Sequence, residues 1–223
     1  VWTAIPGLGT FVVPLIAMAL PVRESTGFLL PLLVEADLMA ILYWRREVVW
    51  RQLAKIFPWT ACGVVAGYFV MQRVSDAFFK PFLGAVIVGF VVLDLVRRLA
   101  RVEMTTENRA FVAVSGILAG AFTMIANAGG PIMTIYLLSI ALPKEKFVGT
   151  TAMFFCLINL FKVPFSVALG LISWQSLRID LMLIPLIAAG CVVGLVFLKK
   201  LPQKAFDTVA QALAAIAGLK LFF

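Results

Sequence analysis

Apolar runs approaching the roughly 20 residues needed to cross a bilayer recur along the whole chain. A soluble domain of 223 residues could not bury them all. The composition agrees: 63% of residues are apolar and 13% charged, against roughly 25% charged in soluble domains. The runs are continuous and not alternating, which argues against a β-barrel. The expected fold class is therefore all-α, a polytopic membrane helix bundle. The net charge of +8 raises nucleic acid as a partner. The basic residues, however, form short clusters beside the spans (Arg45-Arg46, Arg97-Arg98, Lys199-Lys200), where membrane proteins carry them in cytoplasmic loops. The lipid bilayer is the expected partner, and nucleic acid is not.

A second pattern organises the chain. Gly7, Pro21 and Gly27 reappear 122 positions later as Gly129, Pro143 and Gly149. Pro58, Gly63 and Gly67 reappear 127 positions later as Pro185, Gly190 and Gly194. Two related repeats follow, each with a Gly-broken helix or hairpin near its start. The expected organisation is a first transmembrane repeat at 1–95, a basic cytoplasmic linker at 96–109 and a second transmembrane repeat at 110–223. The stretch Phe111 to Phe122 has no counterpart in the first copy, so an equivalent helix is expected ahead of Val1. Helices are expected near 27–44, 54–72, 78–95, 110–126, 131–142, 149–169, 177–198 and 205–222, with a partial segment near 8–20.

The stretch 110–142 would reach about 50 Å as one straight helix, too long for a single span. It either crosses as a kinked helix or turns back at Gly129-Gly130-Pro131. Simple crossing divides the basic residues ten to eight between the two sides. Turning back moves Lys144, Lys146, Lys199, Lys200 and Lys204 to the first side and removes Arg178 and Lys220, giving thirteen to five. The positive-inside rule favours the second arrangement, which inverts the two copies and places the loops at 45–55 and 96–109 in the cytoplasm.

Candidate site residues lie at the breaks and at charges inside apolar runs. Non-helical backbone at membrane depth survives only when buried in protein or lining a cavity. The helix resuming after a break points its N–H groups and positive dipole end into that cavity, which suits an anion. This nominates Gly7, Gly9 and Thr10 in the first break, and Asn127, Gly129 and Gly130 in the second. A packing kink is the competing reading. Glu35, Asp37 and Lys162 interrupt apolar runs, where charges normally turn inward to partners. The 122-residue offset sets Asp37 against Asn159, which shares a helix face with Lys162 at i, i+3. Lys162 would attract an anion. Asp37 or Glu35 would bind a coupling proton; alternatively Asp37 forms a structural ion pair with Lys162, and Glu35, at i, i+2 from Asp37, is a carboxylate facing the cytosol or the headgroups. Thr150 follows Gly149 and is expected to cap the break or touch substrate.

Gly63-x-x-x-Gly67 and Gly190-x-x-x-Gly194 read as close helix packing. Trp44, Trp50, Trp59 and Trp174 read as interfacial anchors. The chain has no histidine, which removes Ser-His and Cys-His nucleophilic sites and histidine metal sites. Cys62, Cys156 and Cys191 lack CxxC spacing and read as packing residues. No metal or cofactor and no enzyme activity is expected.

These residues resemble the sulfite exporter TauE/SafE family of membrane transporters along nearly the whole length. The likeness rests on Gly7 to Leu15 (Gly-Leu-Gly-Thr-Phe-Val-Val-Pro-Leu), Asp37 followed by Tyr43-Trp44-Arg45-Arg46, and Gly129-Gly130-Pro131 with Tyr136-Leu137. Gly149-Thr150-Thr151, Asn159 to Phe165, and the Pro185, Gly190 and Gly194 helix complete it. Thr10 stands where another glycine is common in the family. The resemblance implies transport of a small sulfur-containing anion, sulfite or an organosulfonate, across a bacterial inner membrane. The expected function is secondary transport by alternating access between the repeats, with a proton as the candidate coupling ion and a homodimer as a candidate assembly. An integral membrane enzyme, an assembly subunit and a passive anion channel are the alternatives.

Overall fold

The computed structural model describes residues 22–73 and 108–202, with Ala205, Thr208, Val209 and Ala212 beyond them. All regular structure among the described residues is helical. The main elements are α1 (Val22–Trp44), α2 (Trp50–Arg73), α3 (Arg109–Ala126), α4 (Gly130–Ser139), α5 (Lys144–Ala168) and α6 (Trp174–Lys200). Four stretches, Thr26–Trp44, Trp50–Arg73, Arg109–Ala126 and Lys144–Ala168, are long and apolar enough to cross a membrane. Asn108 starts α3, its side-chain oxygen accepting from the N–H groups of Ala110 and Phe111 at 3.1 and 3.2 Å. The molecule is a polytopic membrane helix bundle. Leu42, Met182, Leu186 and Val193 are exposed apolar side chains, as suits a surface meeting lipid and not water.

Close glycine contacts set the helix directions. A methyl on Gly116 would lie 2.7 Å from Trp59 Cβ, and one on Gly67 would lie 2.9 Å from the Ala121 carbonyl oxygen. One on Gly63 would strike the Ile117 carbonyl, and one on Gly120 the Thr60 carbonyl. Partner numbers rise together, so α2 and α3 run parallel with backbones nearly touching. The packing expected of Gly63 and Gly67 is thus present, and α3 answers with its own small-residue pair. In contrast, α1 and α5 are antiparallel. Gly149 abuts Trp44 and Glu47, Asn159 bonds Asp37, and Gly27 abuts Leu171.

The chain turns back between α3 and α4. The Phe111 and Tyr136 rings stack at 5.9 Å; an uninterrupted helix would hold them about 37 Å apart. Helix ends consequently form two layers. One contains the ends of α1 and α6 and the starts of α2, α3 and α5, and across it Lys144 Nζ donates to the Leu201 carbonyl at 2.8 Å. The other contains the ends of α2 and α5 and the starts of α1 and α6. Arg45, Arg46, Arg51, Lys55, Arg109, Lys144, Lys146, Lys199 and Lys200 belong to the first layer. Arg23, Arg73 and Arg178 belong to the second. This is the asymmetry expected of the turned-back arrangement.

Several expectations need correction. Helices α1, α2 and α6 begin at Val22, Trp50 and Trp174, three to five residues before the expected starts. Helix α5 begins at Lys144, not near 149, so Gly149 lies inside it and serves the approach of α1. Trp44 is 5% exposed, packed in the core; Trp50, Trp59 and Trp174 are the exposed indoles. Helix α4 ends at Ser139, three residues short of the expected end. The first break with Gly7, Gly9 and Thr10, the segment at 8–20, the helix at 78–95 and the linker through residue 107 lie outside the described residues. So does most of the helix expected at 205–222.

Candidate functional site

Lys162 is fully buried and is among the largest side chains with no exposure. An ammonium at that depth must be matched by oxygen. It donates to Asn127 Oδ1 at 2.6 Å, Asn159 Oδ1 at 3.3 Å and Thr123 Oγ1 at 3.4 Å. Each ammonium N–H therefore has an acceptor, one close and two long. The Asn159 amide donates from its nitrogen to Asp37 Oδ2 at 2.8 Å. One carboxamide thus links acid to base.

The hairpin tip supplies the rest. Asn127 ends α3 in the left-handed conformation, φ 51° and ψ 27°. Asparagine tolerates that region better than most side chains. Its N–H and that of Ala128 close the last turn on the Thr123 and Phe122 carbonyls at 3.1 Å each. Its side-chain nitrogen donates to the Thr26 carbonyl at 3.2 Å, and Thr26 Oγ1 donates to the Ile125 carbonyl at 3.1 Å. Helices α1, α3 and α5 are thereby tied through one polar cluster.

Helix α4 resumes within three residues. Gly129 is its N-cap and makes no side-chain cap bond, and Pro131 sits in the first turn. Ala128 and Ile132 have no exposure, so the positive end of α4 is buried beside the Lys162 cluster. A methyl on Gly129 would lie 2.6 Å from the Ala119 carbonyl oxygen. Glycine is therefore required there by the closeness of α4 to α3, and not only by access to a ligand.

The cluster lies inside the spans: Asp37 is 15 residues from the start of α1 and 7 from its end, and Lys162 is 18 residues from the start of α5 and 6 from its end. Asn159 is ten residues from Gly149 and twelve from Leu171, about 15 and 18 Å along the axis. Asp37, Asn159 and Lys162 are brought together as their spacing suggests, and Asn127 joins them from the hairpin tip. Gly129 and Gly130 follow Asn127 directly. The expected ion pair is indirect, through Asn159.

Thr150 belongs elsewhere. Its Oγ1 accepts from the Val49 N–H at 3.0 Å, securing the start of α2, about 18 Å along α5 from Lys162. Glu35 points away from Asp37, towards α6. Thr26 and Thr123 were not anticipated, because a hydroxyl inside an apolar helix carries little signal. Among the described residues no group of three or more His, Cys, Asp or Glu side chains is placed to hold a metal.

A family model described as sulfite exporter TauE/SafE matches residues 3–221. The chain belongs to the TauE/SafE family. No curated protein and no solved structure matches it. TauE/SafE membership and the apolar spans identify a membrane transport protein, and the family implies sulfite or a related anion as cargo.

Proposed function

We propose that this protein is a secondary transporter that binds a small sulfur-containing anion at the Asn127–Asn159–Lys162 cluster and carries it by alternating access. The observation that carries this reading is Lys162, buried inside the span three-quarters of the way along α5, beside the N-terminus of α4, which has no side-chain cap. Both present positive potential to the same place. An oxyanion would replace the long bonds to Thr123 and Asn159 while the close bond to Asn127 holds the ammonium. The opposed directions of α1 and α5, and of α2 and α6, support inverted repeats, since the sequence pattern pairs these helices. Proton coupling and a bacterial inner-membrane location belong to the same proposal, with the basic layer facing the cytoplasm.

The saturation of Lys162 by three oxygens favours a second reading, a strut that joins three helices. Sulfite counterflow in proteoliposomes separates the two. Lys162→Met is expected to lower counterflow by at least about tenfold, the factor equivalent to one lost interaction of 1.4 kcal/mol, while eluting as a folded species. Folded protein with wild-type counterflow would remove Lys162 from the anion path.

A further inference from the structure

Asp180 in α6 is 1% exposed, and neither carboxyl oxygen has a hydrogen-bond partner among the described residues. Helix α6 packs along α1 in the same direction, and Gly27 abuts Leu171, so Glu35, eight residues beyond Gly27, and Asp180, nine beyond Leu171, come to a similar depth on the seam. Glu35 Oε2 is likewise buried, with no hydrogen-bond partner among the described residues. Two residues along a helix turn a side chain by about 200°, so α1 presents Asp37 to α5 and Glu35 to α6. The two α1 acids thus meet different surroundings. Asp37 has an amide donor and a nearby cation, Lys162. Asp180 and Glu35 share the α1–α6 seam, with no hydrogen-bond partner for Asp180 or for Glu35 Oε2 among the described residues.

Two cations on the helices around this seam, Arg178 and Lys162, are engaged elsewhere. Arg178 on α6 is exposed, with its guanidinium carbon 5.8 Å from the centre of the Trp174 ring. Lys162 on α5 donates into the Asn127–Asn159 cluster. Two carboxyls on one seam, Asp180 buried and Glu35 half-buried with one oxygen enclosed, cannot both hold a negative charge cheaply. One shared proton resolves this, because a protonated carboxyl donates its O–H to its neighbour. A divalent metal would need more ligands than a pair provides.

We propose that Glu35 and Asp180 form a proton-binding pair, separate from the Asn159–Lys162 cluster, that carries the ion coupled to anion transport. This rests on the transport reading above. Binding converts one carboxylate to a carboxyl and creates one hydrogen bond across the α1–α6 seam. Release sets two like charges against each other there, so protonation biases how these helices pack.

The test uses full-length protein in proteoliposomes, radiolabelled sulfite and protein-free vesicles as the blank. Two quantities are read, accumulation driven by a pH gradient and counterflow without one. The ratio of the first to the second is expected to fall at least about tenfold in Asp180→Asn, as for loss of one coupling free energy. Glu35→Gln is expected to do the same and serves alone if Asp180→Asn does not fold. A wild-type ratio in folded Asp180→Asn overturns the pair. Accumulation driven by a sodium gradient in place of pH also overturns it. Wild-type counterflow that ignores the pH gradient sinks coupling but leaves the anion site standing. Infrared spectroscopy gives a readout independent of sulfite. Purified wild type is expected to show a titrating carboxylic C=O band that Asp180→Asn removes, and an unaltered band in the variant overturns the assignment.

Discussion

Asn127 does two jobs at one position. Its backbone closes α3 in a left-handed turn, while its side chain bridges Lys162 and the Thr26 carbonyl. Asn127→Gly keeps the turn and removes the bridge; Asn127→Ala removes the bridge and adds strain. Thermal unfolding in detergent should find the alanine variant less stable by about 1 kcal/mol. Equal losses would mean the backbone geometry is not what selects asparagine. Asn159 is the other hinge of the cluster. Asn159→Leu leaves Asp37 and Lys162 buried without their shared partner, at an expected cost of about 3–5 kcal/mol. A loss under about 1 kcal/mol, the range of exposed pairs, would show that the link is not a buried one. These residues were legible because charge inside an apolar run must find a partner, and i, i+3 spacing says which face it uses. Thr123 and Thr26 were not legible, because a helical hydroxyl can equally bond its own backbone. Asp180 was hidden by its place six residues into α6, where an acid passes for a headgroup contact.

At the level of elements, α2 and α3 make the most extensive helix contact among the described residues. Gly120→Ala should gain up to about 1 kcal/mol in helix propensity. It also drives a methyl into the Thr60 carbonyl, and overpacking costs about 1–3 kcal/mol. The clash should win, giving a net loss in thermal stability; a gain would show that α2 and α3 separate easily. The hairpin was legible from Gly129-Gly130-Pro131 together with the charge count, since neither decides alone. The start of α5 was misread because Gly149 resembles a helix boundary. The true boundary is Pro143, which follows a turn with Ala141 at φ 50°.

Across the whole molecule, the two layers of helix ends predict which loops share a compartment. In a cysteine-free background, Arg46→Cys and Lys146→Cys should be labelled from the same side by a membrane-impermeant maleimide. Ser173→Cys should be labelled from the other. Labelling of all three from one face would break the topology. The side assignment came from counting basic residues; the helix directions that produce it came only from contacts far apart in sequence, which no local pattern encodes. The glycine interlock has a last consequence. Where α2 and α3 touch, even a methyl group has no room, so that flank is sealed to any solute. On the transport reading proposed above, cargo does not pass between these two helices.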